Sequence, residues 1–396
     1  MARRTRSTAT DDAEKNLRIP GQKLLKPIAS ALDRIHHAGA ERDNAGNRHL
    51  FFDHYLTLLI LYFLNPTLTS LRGLQNTTNW EKTQKSLGIP RTSLGSLSEA
   101  ANVFDAELVE PIIRELAGQA LPLSTGREAE ALEGLTAVDG SIFAALARMR
   151  WALWQDDDHR GVKLHLHFDI LKGVPRLGTV TPAACSEPAE LIENLEANRL
   201  SVLDRGYASY ALFSQVIAKG SSLVARVKDN TVFEVYEERA ISETSAKAGV
   251  IRDVQISRLG CEDGPTTMLR PMRLVIVRFT DRHGQIHDLW LNTDRLNLDA
   301  DLVALAYRYR WTVELFFRWL KCILGSRHLI SQSQNGVQLQ MYAAMIVSLL
   351  LAIRTGTKPT KRTLEVVAFY LLGWVSDAEL DAHIASLQAK AKKTKV

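Results

Sequence analysis

The sequence contains few cysteines and no long apolar segment. Its three cysteines, Cys185, Cys261 and Cys322, lie far apart and form no Cys-x-x-Cys or mixed Cys/His ligand pattern. A disulfide framework or a zinc finger is therefore not expected, and a reducing cytoplasm fits this composition. The N-terminus is basic and polar, without the apolar stretch of a signal peptide. These absences predict a cytoplasmic protein.

Two apolar runs are too short to cross a bilayer. Residues 55–64 read YLTLLILYFL and residues 341–353 read MYAAMIVSLLLAI, whereas a spanning helix needs about 18–20 apolar residues. We predict that both runs form buried core helices and that the protein has no membrane partner.

What the sequence does contain is typical of a soluble protein of several domains. It has 396 residues, of which 46% are hydrophobic and 23% are charged, and its formal net charge is +5. The length predicts two or three domains. The small positive charge says little about nucleic acid by itself, but basic residues are concentrated at both ends. We predict a basic disordered arm over residues 1–25, and a C-terminal helix with a lysine-rich tail over residues 356–396.

Residues 26–130 are predicted to form an all-α N-terminal domain. Within it, one helix is expected to end near Gly88 and another to begin at Thr92 or Ser93, with Pro90 in the turn. Such a helix-turn-helix would present Arg91 and the neighbouring serines to a DNA groove. A plain helical bundle explains the pattern equally well.

From residue 135 the hydrophobic pattern becomes that of β-strands. Three strands follow one another, and helices then alternate with strands. This order predicts an α/β fold with a mixed sheet of the ribonuclease-H type. The strand-like pattern of residues 229–299 predicts a separate β-rich insertion. A long helix is predicted over residues 301–323, where the chain returns to the catalytic fold. We therefore assign the catalytic domain to residues 131–228 and 300–355.

Two aspartates follow apolar strands in this region. Asp139 ends the strand LTAVD and precedes Gly140, and Asp204 ends the strand LSVLD and precedes Arg205. A carboxylate at a strand end followed by glycine allows backbone or metal to approach closely. Each aspartate could equally cap a turn, so the pair alone is only moderately specific.

The segment YRYRWTVELFFRWLK places one glutamate in a basic and aromatic setting. Six of its side chains lie on one face of an ideal helix or at its border: Tyr307, Arg310, Trp311, Glu314, Arg318 and Lys321. The opposite face is apolar and is expected to pack against the core. A salt-bridged surface helix is the alternative, but a basic stripe with one carboxylate and aromatic neighbours suits phosphate binding around a metal.

The spacing Tyr307-x2-Arg310-x3-Glu314-x6-Lys321 resembles the Tyr-Arg-Glu-Lys signature of the insertion-sequence-four family of bacterial DDE transposases. The segments DGS at 139–141 and DRGY at 204–207 resemble that family's two aspartate boxes, and KLH at 163–165 resembles its second core strand. The resemblance covers about residues 130–330.

This resemblance implies a metal-dependent DNA transposase. Asp139, Asp204 and Glu314 would be the catalytic residues and would hold two Mg²⁺ ions, with Mn²⁺ able to substitute. The DNA contacts implied by the resemblance are Arg205, Tyr307, Arg310, Trp311, Arg318 and Lys321. The protein would cut double-stranded DNA at terminal inverted repeats and join the freed 3′-hydroxyl to target DNA, acting as a homodimer on paired ends.

Two other functions stay open at this point. The chain could be a metal-dependent nuclease of the same fold that does not transpose, or a DNA-binding relative without catalysis. The intact carboxylates, together with Arg310 and Lys321, disfavour the second of these.

Other polar groups are interpreted as structural. His165, His167 and Asp169 share one strand face and could form a two-His-one-carboxylate metal site, but a structural role is favoured. The aspartates at 156–158 are interpreted as a solvated turn, and Glu187 and Glu190 as acids in the first turn of a helix.

Overall fold

The computed structural model describes residues 22–38, 48–146, 148–152, 159–260, 267–325 and 328–394. Most of the predicted basic arm and the aspartates at 156–158 lie outside these ranges. The α-helices of the described chain are Ala29–Ile35, Phe52–Leu64, Leu71–Thr77, Glu81–Leu87, Leu94–Val103, Glu110–Gln119, Arg127–Ala131, Glu187–Glu193, Tyr210–Ala218, Glu243–Lys247, Ala300–Tyr309, Trp311–Arg318, Gln334–Thr355, Lys361–Leu371 and Asp377–Thr394.

The strands form one sheet. They are β1 Leu135–Ala144, β2 Gly161–Asp169, β3 Val174–Pro182, β4 Leu200–Leu203, β5 Ser222–Val227, β6 Val232–Glu238, β7 Val250–Gly260, β8 Thr267–Thr280 and β9 Ile286–Thr293.

The nine-stranded sheet has the order β3-β2-β1-β4-β5-β9-β8-β7-β6. β4 runs parallel to both β1 and β5, whereas β9 pairs antiparallel with β5 and with β8. The predicted mixed α/β architecture is therefore confirmed. The β-rich segment that follows residue 229 is not detached from this sheet, because β9 joins it directly to β5.

The described chain divides into two compact units, each with its own core. One unit comprises Met1–Leu121, Phe143–Val162 and Arg318–Val396, and the other comprises Pro122–Ile142 and Lys163–Phe317. This grouping places the C-terminal helices with the N-terminal ones. The domain boundaries derived from the sequence stay a prediction.

The two apolar runs are buried helices, as predicted. Gln334–Thr355 is long and apolar enough to span a membrane, but 89% of its most apolar 18-residue window is buried inside the protein. Phe52–Leu64 is the shorter run, and ten of its thirteen residues are buried. Apolar side chains around the full circumference of a helix are expected of a core helix.

The predicted turn between two helices is also confirmed. The helix Glu81–Leu87 ends at Gly88, whose φ of 68° is the left-handed conformation that glycine adopts without strain. The next helix begins at Leu94, and the Ser93 hydroxyl accepts a hydrogen bond from the backbone N–H of Ser96 at 3.0 Å.

The long helix predicted over 301–323 is in fact three segments. Ala300–Tyr309 and Trp311–Arg318 are α-helical and meet at Arg310, while Trp319–Ile323 is π-helical. A π-turn contains more residues per turn than an α-helix, so the ideal 100° spacing used for the sequence does not extend to Lys321.

Candidate metal and DNA site

Asp139 and Asp204 lie on neighbouring strands at the same level. β1 pairs with β4 through Leu135 opposite Leu200 and Ala137 opposite Val202. Continuing this register by two residues places Asp139 opposite Asp204. In a parallel sheet neighbouring strands are about 4.8 Å apart, so the two carboxylates are held side by side by the backbone.

The prediction that Asp139 ends its strand is wrong. β1 has ten residues and runs to Ala144, whereas β4 has four and ends at Leu203, just before Asp204. Because β1 also neighbours β2, it stays extended after β4 has ended. Asp139 therefore projects from a continuous strand, and only Asp204 occupies a strand end.

Each aspartate is oriented by a nearby backbone N–H. Gly140 donates to Asp139 Oδ1 at 2.8 Å, and Gly206 donates to Asp204 Oδ1 at 2.7 Å. Burial raises the pKa of Asp139 to about 6. The Arg310 guanidinium and the Gly140 N–H oppose this rise, and the Asp204 and Glu187 carboxylates add to it. The raised pKa shows that the ionised form is poorly solvated and crowded by other acids.

Arg310 connects Glu314 to this pair. Its guanidinium lies 2.6 Å from Glu314 Oε1 and 3.6 Å from Asp139 Oδ2. The Arg310 side chain is only 15% exposed. Burial alone would lower the pKa of Arg310, but Tyr307, Glu314 and Asp139 together raise it. The guanidinium thus bridges two of the three predicted catalytic carboxylates.

Tyr307 and Arg226 complete the charged surroundings. The Arg310 guanidinium lies 5.9 Å from the centroid of the Tyr307 ring. Burial raises the pKa of Tyr307, which Arg310 and Arg226 act to lower. Sequence reasoning missed Arg226, which lies in β5. The alternation of the strand SLVARVK could have marked it as facing away from the buried Ala225.

The remaining predicted DNA contacts are distributed along the chain. Arg205, Trp311 and Arg318 are exposed, with Trp311 59% accessible. Lys321 lies over the Phe143 ring at 4.5 Å from its centroid, and burial lowers the pKa of Lys321. On the opposite helix face, Val313 and Phe316 are buried as expected, and Trp319 and Leu320 of the π-helical segment are also buried.

Glu187 is a further acid near the aspartates. It lies in the first turn of the helix Glu187–Glu193, as predicted, and its Oε1 is 3.1 Å from Lys163 Nζ. It contributes to the raised pKa of Asp139 and accepts a hydrogen bond from the buried Tyr207 hydroxyl. Periodicity contains no signal for this contact, because it depends on how the chain between β3 and β4 folds back over the sheet.

The charges of this cluster suit a divalent cation. Four carboxylates (Asp139, Asp204, Glu187 and Glu314) face the cationic side chains of Arg310 and Lys163, and Arg226 lies near Tyr307. One negative charge is therefore in excess in a poorly solvated setting. Carboxylate oxygens are the ligands that Mg²⁺ and Mn²⁺ prefer. The donor set fits such ions, with the Arg310 guanidinium in a place where a cation would compete with it.

The strand face of His165, His167 and Asp169 does not form the two-His-one-carboxylate metal site considered from the sequence. His165 Nε2 is 2.8 Å from Thr181 Oγ1, and Asp169 is paired with Arg199 at 2.9 Å. Burial lowers the pKa of His165 to about 4, with the Lys163 charge adding to the shift. These residues support the sheet, as favoured from the sequence.

Another group of possible ligands in the described chain is His36, Asp53 and His54, whose ligand atoms lie within 4.8 Å of one another. Asp53 Oδ1 is 2.8 Å from His36 Nδ1. His54 Nδ1 accepts the backbone N–H of Phe51 at 3.4 Å, so the neutral ring carries its proton on Nε2. A metal at Nε2 would displace that proton, and we interpret this group as a hydrogen-bonded helix start.

Comparison with known proteins gives consistent matches. A Sinorhizobium fredii protein named, by inference, transposase y4zB is 29% identical over 240 residues, or 60% of this chain and 65% of that protein. A Geobacillus stearothermophilus protein, named likewise by inference as the transposase of insertion sequence element IS5377, is 25% identical over 67% of this chain and 68% of its own length. The chain thus spans about two thirds of the length of each relative.

A solved structure, a piggyBac transposase synaptic complex with hairpin DNA, aligns with 93% of this chain and 84% of its own at a TM-score of 0.40 and 11% identity. The family described as Transposase DDE domain matches residues 130–350, which is more than half of the 396 residues and includes all three predicted catalytic carboxylates. The chain therefore belongs to the DDE-domain transposase family.

Proposed function

We propose that this protein is the transposase of a bacterial insertion sequence, which cuts DNA at terminal inverted repeats and joins the 3′-hydroxyl ends to target DNA. One observation carries the proposal. Asp139 and Asp204 stand opposite each other on parallel strands, and Arg310 links Asp139 to Glu314. Membership of the DDE family implies DNA as the partner and a divalent metal as the cofactor. The sheet order β3-β2-β1-β4-β5 supports a ribonuclease-H-like core.

Asp139, Asp204 and Glu314 would hold two Mg²⁺ ions, for which Mn²⁺ can substitute. When bound, such ions activate the attacking oxygen and stabilise the leaving oxygen of a phosphodiester. The protein must supply the carboxylates on rigid elements, and strands β1 and β4 do so through their fixed register. Asp139 has to be ionised to act as a ligand, so metal binding competes with protons near its raised pKa of about 6.

Arg310 is placed to contact both the carboxylates and DNA. Its guanidinium pairs with Glu314 and Asp139. With divalent cations bound to these acids, the guanidinium would be available to a DNA phosphate, which it can bind through two parallel hydrogen bonds. Tyr307, next to Arg310, and the exposed Arg205 and Arg318 would contact the backbone of the DNA. Lys321 would join them.

Trp311 is suited to contact with a base. Its ring is 59% exposed at the start of the helix that holds Glu314. Proteins hold a base that is extruded from the DNA duplex by stacking it on an aromatic side chain. We assign the chain to the insertion-sequence-four group with the Tyr-Arg-Glu-Lys signature, acting as a homodimer on paired ends in the bacterial cytoplasm, associated with the nucleoid.

The triad can be tested with a plasmid that carries the gene's flanking genomic DNA on both sides. We expect Asp139→Ala, Asp204→Ala and Glu314→Ala each to abolish cleavage in Mg²⁺ while retention of the flanking DNA in a gel-shift assay is nearly unchanged. Glu243→Ala is the matched control, because Glu243 is 93% exposed and pairs with Lys247 at the surface. Full cleavage by any of the three triad variants would contradict the assignment.

The same plasmid separates a transposase from a nuclease of the same fold. A transposase should join the cut ends to a second, unrelated plasmid and leave a short target duplication at the junction. Cleavage at the ends without any joined product would favour the nuclease.

A further inference from the structure

Glu187 is placed differently from an ordinary acid in the first turn of a helix. The helix Glu187–Glu193 begins after Ser186 and has proline in its first turn. Glu190, the other acid of that turn, contacts Cys185 and Asn194 of its own helix region. Glu187 instead folds back over the sheet, where its Oε1 is 3.1 Å from Lys163 Nζ on β2.

The same carboxylate lies against the peptide that follows Asp139. A Cβ added at Gly140 would stand 2.9 Å from Glu187 Oε1 and 3.2 Å from Lys163 Cδ. Both distances are shorter than ordinary carbon contacts, so a larger residue would displace these side chains. Gly140 is also the residue whose N–H orients Asp139.

Tyr207 brings the second aspartate into the same arrangement. It follows Asp204 by three residues, is 1% exposed, and donates its hydroxyl to Glu187. Burial, followed by the charges of Glu187, Asp139 and Asp204, holds the Tyr207 phenol in its protonated form. Glu187 therefore accepts a hydrogen bond from Tyr207, in the segment after β4, and forms an ion pair with Lys163 of β2. Both contacts lie next to the Gly140 backbone of β1.

We propose that Glu187 is a positioning residue of the metal site, which fixes Lys163 and Tyr207 around the Asp139–Gly140 peptide and thereby orients the side chains of Asp139 and Asp204 for metal binding. The inference rests on the proposed function, since it concerns the same carboxylates. Residues that orient metal ligands without touching the metal commonly change metal affinity by about 10–100-fold when removed.

The test is Mn²⁺ binding to the free protein, followed by the electron paramagnetic resonance signal of unbound Mn²⁺. Glu187→Ala removes both contacts, and we expect it to weaken Mn²⁺ affinity by about tenfold or more. Glu187→Gln keeps an acceptor for Tyr207 and loses the charge that faces Lys163, so its affinity should fall between those of Glu187→Ala and the wild type. Glu190→Gln, on the same helix, should bind Mn²⁺ as the wild type does.

Gly140→Ala supplies an independent route to the same defect. Its φ is not in the left-handed region, so alanine is tolerated by the backbone, but the added methyl group displaces the Glu187 carboxylate. We expect Gly140→Ala to weaken Mn²⁺ binding. The double variant Gly140→Ala, Glu187→Ala should bind Mn²⁺ no more weakly than the weaker-binding of the two single variants. Such non-additivity is expected when two changes remove one interaction.

Two measurements distinguish a positioning role of Glu187 at the metal site from a contribution to the stability of the fold. Thermal unfolding in EDTA and gel-shift binding of the flanking DNA should be the same for Glu187→Gln, Glu190→Gln and the wild type. Equal Mn²⁺ affinity of Glu187→Ala and Glu190→Gln, or a Glu187 effect on unfolding alone, would overturn the inference. If Asp139→Asn also bound Mn²⁺ as the wild type does, the proposed metal site itself would fail.

Discussion

At the scale of single residues, the chemistry of this protein depends on where polar groups are denied water. Asp139 lies on β1, His165 lies on the neighbouring β2, and Glu187 lies over the sheet. Burial raises the pKa of Asp139 and lowers that of His165. The sequence shows the residue types but not their burial. It indicated Asp139 and Asp204 because each follows a run of apolar residues, and it did not place Glu187 beside them because the fold of the chain between β3 and β4 determines that contact.

His165 gives a pH-dependent contribution to stability. Its pKa is lowered from 6.5 to about 4, and protonation would add a second N–H at Nδ1, a buried atom with no hydrogen-bond partner in the described chain. The unfolded chain binds this proton and the folded chain does not. The contribution is therefore complete above pH 6.5 and is lost as the pH falls toward 4, by about 3 kcal/mol at most.

We expect His165→Gln, which can keep a bond to Thr181, to reduce the loss of stability between pH 6.5 and 4. Urea unfolding at several pH values measures this slope. His287→Gln is the control, because His287 is exposed and paired with Asp281 at the surface. An unchanged slope in His165→Gln would contradict the buried neutral state of this ring.

At the scale of helices and strands, periodicity predicted most elements. The predictions fail where tertiary contacts determine the local structure. The strand pattern of 135–227 and the turn at Gly88 were correctly predicted, because alternation and a left-handed glycine are local signals. The break at Arg310 and the π-helical Trp319–Ile323 could not be read from spacing. Arg310 is held by Glu314 and Asp139, and the π-helical segment includes the buried Leu320, which are tertiary contacts that spacing along the chain does not encode.

One buried ion pair joins the strands that follow β5 to the helix before the glutamate. Arg273 on β8 bonds the two Asp253 oxygens of β7 at 2.7 and 2.6 Å, and both side chains are at most 3% exposed. Arg273 also donates to the carbonyl of Leu298, just before the helix Ala300–Tyr309. The pair thus anchors the start of the segment that contains Tyr307.

Breaking this pair should be costly. We expect Arg273→Met to lower the free energy of unfolding by about 3 kcal/mol, because the buried Asp253 loses its two short bonds and keeps only Arg239 Nε, 3.9 Å away, as a cationic partner. Arg278→Met is the matched control on the same strand. Its partner Asp288 and Arg278 itself are 33% and 52% exposed, so this substitution should lower the free energy of unfolding far less. Equal shifts of the urea midpoint in the two variants would argue against the anchor.

At the scale of the whole molecule, all three predicted catalytic carboxylates belong to the unit formed by Pro122–Ile142 and Lys163–Phe317. The sequence predicted that these distant positions form one site through the resemblance of their motifs to those of DDE transposases, since two metal ions need several carboxylates brought together. It could not predict that the helices at the two ends of the chain form one unit. Apolar helices such as Gln334–Thr355 match many partners equally well, and periodicity does not choose among them.

The excess of negative charge couples metal binding to the stability of this unit. An ion that binds only the folded protein stabilises it by about 2.7 kcal/mol at a concentration of 100 times its Kd. We expect Mg²⁺ or Mn²⁺ to raise the unfolding temperature of the wild type and not that of Asp139→Asn. Differential scanning calorimetry with and without the ion measures this shift, and an equal rise in both proteins would mean that the ions act elsewhere.

The register between β1 and β4 has a consequence for insertions and deletions. Asp139 and Asp204 stand level because each lies four residues beyond the paired Leu135 and Leu200, so nothing depends on the length of the chain between the two strands. Residues added in the loop before Leu200 leave the two carboxylates facing each other. One residue added inside β4 would turn Asp204 to the other side of the sheet, since side chains alternate along a strand. The spacing between the two aspartates in sequence is thus free to vary, while the four residues that precede each of them are fixed in number.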